Sequence, residues 1–168
     1  MKQLLLCRHA KSSWKNLELA DIDRPLNRRG KRNAPVMGER LAGRGMIPEL
    51  ILSSPAKRAR KTAVRLCRGM TVTKDLIRIN DAIYDTDVPG LLKVISKIDD
   101  CHDRVMLIGH NFELTMLANH LVAVVIYNIP TCGIVACSLA VNSWQHVQQM
   151  QADLLFFDYP KKLNCNRS

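Results

Sequence analysis

Apolar positions in this chain fall into short unbroken runs and longer interrupted ones, and the two kinds alternate. Leu4-Leu5-Leu6-Cys7 leaves no polar residue for either side of a pleat, so residues 2–7 read as a strand covered on both faces. Leu50-Ile51-Leu52 and Arg104-Val105-Met106-Leu107-Ile108 read the same way, and residues 133–141 supply a further apolar strand. Ala34, Met37 and Leu41 recur at helical spacing. Asn27 is placed to cap that helix, which runs to about Ala42 and is stopped by Gly43 and Gly45. Ser54 and Pro55 mark the start of a second helix, from Ala56 to about Arg68. Residues 71–79 suggest a strand of poor alternation and residues 81–89 a loop. Residues 90–98 suggest a helix with Leu91, Leu92 and Ile95 inward, and residues 112–125 another. Asn142-Ser143 suggests a tight turn into a hairpin strand from Trp144 onward. Residues 10–27 show neither period, and so long a loop inside a compact fold is often functional.

The order β-loop-α-β-α-β-α-β-α-β-β predicts an α/β three-layer sandwich, a mostly parallel central sheet with helices on both faces. No linker or repeat interrupts it. One domain over residues 1–160 and a polar, basic, frayed tail over 161–168 are expected. Three of the strands end in polar clusters: Arg8-His9, then Ser53-Ser54-Pro55 with Arg58 just beyond, then Gly109-His110-Asn111. Parallel strands bring such ends to one edge of the sheet, where α/β proteins place their chemistry. Arg8, His9, Ser54, Arg58 and His110 are therefore expected together.

Composition narrows the reading. The 168 residues carry a formal net charge of +10, which suits nucleic acid, an anionic membrane surface or phosphorylated substrates. The six cysteines, at 7, 67, 101, 132, 137 and 165, show no metal-binding spacing and several sit in apolar runs. They read as reduced and mostly buried, which points to a cytoplasmic setting. Arg8 cuts off the first apolar run too early for a signal peptide, and the run from Leu121 to Tyr127 is far below the ~20 residues of a membrane span. No membrane partner is expected.

A phosphoryl group presents about two negative charges on three oxygens, and guanidinium forks match that geometry better than ammonium. Arg8 and Arg58 fit the part. Of two imidazoles at the same edge, His9 and His110, one can attack phosphorus as a neutral nucleophile and the other can donate hydrogen bonds to the transferring group.

These residues carry a resemblance. Arg8-His9-Ala10 resembles the Arg-His-Gly signature of the histidine phosphatase (phosphoglycerate mutase-like) superfamily. The segment from Ser53 to Ala63 resembles its Ser-Ser-Pro-x-x-Arg-Ala-x-x-Thr-Ala motif, and Gly109-His110-Asn111 its third motif. Arg8-His9-Ala10-Lys11-Ser12-Ser13-Trp14, the segment from Asp23 to Gly30 and the small size are similar to the SixA-type phosphohistidine phosphatases. The likeness runs from residue 1 to about 160. It implies a phosphoglycerate mutase-like fold and a transient phosphohistidine on His9. Arg8, Arg58 and His110 would clamp the phosphoryl oxygens, and water would then hydrolyse phospho-His9. No metal or other cofactor is implied. Arg24, Asn111 and Ser54 would be substrate-binding by position; for Arg24, capping the helix after it or pairing with Asp21 or Asp23 is an equal alternative. The expected partner is a phosphorylated protein or a small phosphorylated substrate, and a monomer is expected.

The chain departs from that pattern in three places. Ala10 stands for the commoner glycine, and Phe112 stands where a proline is frequent. In mutase-like relatives a Glu followed three residues later by Tyr protonates the leaving group. Here Asp81-Ala82-Ile83-Tyr84 occupies that region, making Asp81 the candidate acid and Asp85 a weaker one. A phosphoramidate leaving group can bring its own proton, so a phosphohistidine substrate needs no strong acid. A small-molecule phosphomonoesterase of the same fold, acting on a phospho-sugar or nucleotide, is the alternative. A basic nucleic-acid-binding protein without catalysis is a distant one, since aromatic residues are only 5% and leave few platforms for bases, so no nucleic acid is expected.

Overall fold

Central strands with unbroken apolar middles feed two cores, one on each side of the sheet. In the computed structural model, which describes residues 1–148 and 151–162, β1 (Lys2–Arg8) and β4 (Arg104–Gly109) lie side by side and parallel at the middle. The full order is β3-β2-β4-β1-β5-β6, with β2 (Leu50–Ser53), β3 (Ile77–Ile79), β5 (Ile134–Leu139) and β6 (Asp153–Asp158). β5 runs antiparallel to β1 and to β6, so the sheet is mixed but mostly parallel. Pleating sends Leu4, Leu6, Val105 and Leu107 into one core and Leu5, Cys7, Met106 and Ile108 into the other.

The first core is covered by α3 (Val88–Ile95) and α4 (Glu113–Leu121), the second by α1 (Arg28–Gly43) and α2 (Lys57–Met70). Asn27 caps α1, its side chain accepting from the Gly30 amide at 2.9 Å. Ala34, Met37 and Leu41 are buried, as their spacing predicts. Pro35 stands inside α1 and cannot donate to the Lys31 carbonyl. That carbonyl instead accepts from the Arg65 guanidinium of α2 at 3.3 Å. The two helices meet closely here, since a Cβ on Gly69 would collide with the Pro35 backbone.

Four boundaries differ from the sequence reading. Only Ile77–Ile79 of the 71–79 stretch is strand. Thr71 ends α2 in a left-handed conformation (φ 60°), and Thr73 caps a single 3-10 turn, so local caps take the backbone first. α3 begins at Val88, with Asp87 accepting from the Gly90 amide at 2.8 Å. α4 stops at Leu121 and not at 125, because the Asn119 side chain bonds both the N–H (2.7 Å) and the carbonyl (2.8 Å) of Ile126. The hairpin from Trp144 does not form. Trp144 is fully buried in a 3-10 turn with its ring N–H on the His102 carbonyl (2.8 Å), and the partner strand of β5 starts at Asp153.

Cys7, Cys67, Cys132 and Cys137 are buried and Cys101 is exposed, all as free thiols. Cys165 and most of the expected basic tail lie outside the described residues. Among the described residues no helix is long and apolar enough to cross a membrane.

Candidate active site

The ends of β1, β2 and β4 do meet. Arg8 pairs with Gly109 across β1 and β4, and Ser53 with Ile108 across β2 and β4. The residues that follow these strands are therefore neighbours, and the His9 and His110 rings stand 5.2 Å apart. A turn over residues 130–133 locks the end of β1: Cys132, left-handed at φ 63°, gives its amide to the Arg8 carbonyl at 3.0 Å. Ala10, the small residue after the imidazole, is wholly buried in the α1–α2 core, and its amide donates to Thr62 Oγ1 at 2.9 Å. Thr62 in turn donates to the Arg58 carbonyl at 2.7 Å. One hydroxyl thus ties the backbone beside His9 to the helix that carries Arg58.

Hydrogen bonding sets the tautomer of each imidazole. His9 Nδ1 lies 2.8 Å from the Ala10 carbonyl, which can only accept, so the proton sits on Nδ1. Its Nε2 keeps a lone pair, facing Arg58 Nε at 3.3 Å. His110 is the reverse: Arg58 Nη2 donates to its Nδ1 (3.2 Å), leaving Nε2–H for Ser54 Oγ (2.8 Å). Burial comes first in opposing protonation of both rings; at His9 it outweighs the Ala10 carbonyl and is joined by His110, Arg58 and Arg8, and at His110 it is joined by Arg58 and Arg8. His9 is pushed down to about 3 and His110 to about 4, with Asp21 the one neighbour favouring the His110 cation. Both are neutral near pH 7.

Arg58 touches His9, His110 and Asp21 at once. Its Nη2 lies 2.8 Å from Asp21 Oδ2, which also accepts from the Tyr84 hydroxyl at 2.9 Å. Asp21 Oδ1 takes Arg24 Nη1 at 2.7 Å. Partial burial would raise the Asp21 carboxyl, but hydrogen bonds from Arg58, Tyr84 and Arg24 outweigh that and hold it at about 2. Arg24 is buried, donates to Ser12 Oγ at 2.6 Å and stacks on Trp14. Of the alternatives for Arg24, the pairing with Asp21 is present, and the guanidinium also lines the hollow that holds His9. Arg8 Nη1 donates to the Ile129 carbonyl at 2.9 Å, while its buried Nε has no partner among the described residues.

Two hollows flank Arg58 and His110. A pocket of about 180 Å³ holds His9 with Arg8, Lys11, Arg24 and Asn111 on its walls. A cleft of about 350 Å³ lies on the other side, lined by Asp21, Tyr84, Asp85, Glu113 and apolar Leu91. Asn111 lines the pocket while its side chain organises the turn beside it, donating to Asn128 Oδ1 at 2.7 Å. Ser54, expected to bind substrate, is completely buried behind His110 and lines neither hollow; its hydroxyl orients an imidazole. Asp81 is exposed in a 3-10 turn and lines neither hollow. The carboxylates in the cleft are Asp21, Asp85 and Glu113; the sequence offers Asp21 only as a pairing partner for Arg24, and Glu113 only by its position after His110. Phe112, where a proline was the commoner residue, precedes α4 and is exposed.

A profile of the histidine phosphatase superfamily (branch 1) matches residues 4–80. An uncharacterised chloroplastic protein of Arabidopsis thaliana is 32% identical over 152 residues, 86% of this chain and 69% of the relative. Among solved structures, a protein of Agrobacterium tumefaciens assigned as the phosphohistidine phosphatase SixA superposes with a TM-score of 0.80. It is 27% identical and matches over 95% of this chain and 98% of its own. A protein of Nakamurella multipartitia assigned as SixA gives 0.81 at 22% identity, over 96% and 97%, and speaks for the fold.

Proposed function

This chain belongs to the histidine phosphatase superfamily, in its SixA-type branch, and is a phosphatase; from that premise we propose that it hydrolyses phosphohistidine on a protein through a covalent intermediate on His9, as a cytoplasmic monomer. The observation that carries the reading is the lone pair on His9 Nε2, kept unprotonated by burial and aimed by the Ala10 carbonyl.

His9 Nε2 attacks phosphorus. The bond from phosphorus to the leaving nitrogen breaks, and its electron pair stays on the leaving imidazole. That imidazole brings its own proton on the other ring nitrogen, so it departs neutral. Water then attacks phospho-His9, loses a proton to solvent and releases phosphate with His9 restored. Arg8 and Arg58 hold the equatorial oxygens, and His110, turned from Ser54, adds a hydrogen bond as charge builds there. Arg24 holds the rim and, with Asp21, fixes the direction of the Arg58 fork.

Asp21, fixed as a carboxylate, cannot supply a proton to an alkoxide leaving group near neutral pH. That supports a phosphoramidate over an ester. The second reading, a small-molecule phosphomonoesterase, draws on the volume of the cleft, about 350 Å³, enough for a small leaving group. A side-by-side rate comparison separates the two: a phosphohistidine protein, free phosphohistidine and a panel of phosphate esters. The expected order is phosphohistidine protein first and esters last. Esters turned over fastest would overturn the phosphohistidine reading.

A further inference from the structure

All of the net charge of this chain sits in one helical layer. α1 and α2 together hold eleven Lys and Arg against one acid, Glu39, a balance of +10 that equals the net charge of the whole chain. Two of the eleven are paired with acids, Arg40 on Asp158 and Arg58 on Asp21, and Arg65 bonds the Lys31 carbonyl. Among the described residues, none of the other nine has a carboxylate within ion-pair distance. Apart from the Arg65 bond to the Lys31 carbonyl, the seam between the helices is made by apolar side chains and the Pro35–Gly69 approach, so the fold does not need the other unpaired cations. Their mutual repulsion works against it.

The charges are also shaped. On the outer side of α2 a hollow of about 380 Å³ has walls of Lys61, Arg65, Arg68 and Lys74 and a floor that includes Val64 and Val72. Cationic walls over an apolar floor fit an apolar side chain flanked by carboxylates. The layer reaches the catalytic pocket as well. The Asn27 amide donates to the Lys11 carbonyl at 3.0 Å, Gly30 packs on the Lys11 backbone, and Lys11 lines the pocket that holds His9. Among the described residues the exposed aromatic residues Trp14, Phe112 and Tyr127 lie in loops and not on either helix, and only half-exposed Tyr159 stands beside α1, so the face offers bases few stacking platforms.

We propose that the α1–α2 face docks an acidic amphipathic segment of the phosphoprotein substrate while the phosphohistidine enters the pocket, an inference that rests on the phosphohistidine reading above. α2 spans about 21 Å, so a helix of about 25 residues can reach from pocket to hollow.

The test uses the full chain and a dye-labelled Leu/Glu helical peptide of about 25 residues, without phosphate. Anisotropy at about 0.05 M salt is expected to show saturable binding, weakened at least about tenfold at about 0.3 M salt. The triple variant K61Q/R68Q/K74Q, all exposed positions, is expected to lose at least about tenfold in affinity without a fall in Tm. Arg65 is left intact because it holds the Lys31 carbonyl. His9→Ala is expected to bind as wild type. With phosphohistidine at one end, the Glu peptide is expected to show a higher kcat/KM than its Gln counterpart. The triple variant is expected to close that gap while turning over a small phosphoramidate normally. Equal binding by wild type and variant, or equal binding of Glu and Gln peptides, overturns the docking face. So does a DNA duplex that binds through these residues when the Glu peptide does not. Peptide binding as expected, with esters hydrolysed and phosphohistidine spared, leaves the face standing and removes the phosphohistidine reading instead.

Discussion

The two hollows that share Arg58 and His110 as a wall are built from opposite charges. The His9 pocket carries Arg8, Lys11 and Arg24 and no carboxylate; the cleft beyond carries Asp21, Asp85 and Glu113. A transferring phosphoryl group gains on the first side, where every fixed charge is positive. A leaving group that is itself an anion would be repelled on the second. One that carries a proton, such as a phosphorylated imidazolium, would be held there. On the phosphohistidine reading the division matters because all phosphoryl groups look alike to the pocket, and substrates differ there only in what leaves. The largest test removes the atom at the centre. His9→Ala is expected to lower turnover of phosphoramidates and esters alike by at least about a thousandfold. Wild type quenched in base after brief mixing with labelled substrate should carry base-stable, acid-labile label. More than about a tenth of wild-type turnover in the variant, or label on serine or aspartate, would remove His9 from the centre of the comparison.

The next largest effect tests whether the cleft contains an acid. Asp21→Asn keeps the shape but takes away the charge that fixes the Arg58 and Arg24 forks. Misplacing a phosphate clamp costs on the order of ten- to a hundredfold, here equally for esters and phosphoramidates. Because Asp21 is held at about 2, the wild-type rate should show no acid limb from it above about pH 3. A loss confined to esters would mean that Asp21 donates a proton, and the cleft would then serve alkoxide leaving groups.

The pocket side was far more legible in the sequence than the cleft side, and the reason is local. Arg8, His9, Arg58 and His110 stand directly at the ends of apolar strands or in the first turn of a helix, so periodicity and topology alone bring them together. Asp21 sits in a loop with no period, and its partners lie 3, 37 and 63 residues away. Only the folded loop, bridged where Ser12 meets Leu26, reveals them. Ser54 stands at the expected edge, but a buried hydroxyl behind an imidazole looks the same in sequence as one in front. Asp81 and Asp85 differ by four positions in a segment without helical spacing, and nothing in the sequence said which one the 3-10 turn would leave outside.

A smaller effect, read in degrees of Tm, tests the burial that keeps the pocket imidazoles neutral. In the unfolded chain His9 and His110 take up protons near pH 6.5; in the folded chain they do so only near 3 and 4. Between those values the unfolded state binds more protons, so stability rises with pH across that window and falls as the solution is acidified from about pH 6.5. Wild type is expected to lose more Tm between about pH 7 and 5 than His9→Asn, which has no such proton to refuse. Parallel losses would show that the ring is not held neutral by its surroundings.

The smallest expected effect is the one that sharpens the comparison most. Asp81 is exposed and lines neither hollow, whereas Asp85 lines the cleft with its backbone in the left-handed region at φ 52°. A non-glycine residue held there persists only where its surroundings over-determine it. Asp81→Asn should therefore leave both ester and phosphoramidate turnover within about a factor of two of wild type. Asp85→Asn keeps a residue type that tolerates this backbone while removing a negative charge from the leaving-group side. It should lower phosphoramidate turnover several-fold, on the order of one exposed charge interaction, and leave esters unchanged or slightly faster. Matched kcat/KM measurements on one ester and one phosphoramidate decide it. If both variants behave alike, or if Asp85→Asn slows the ester more, the carboxylates of the cleft do not select a protonated leaving group. The contrast between the two hollows would then describe shape and not chemistry.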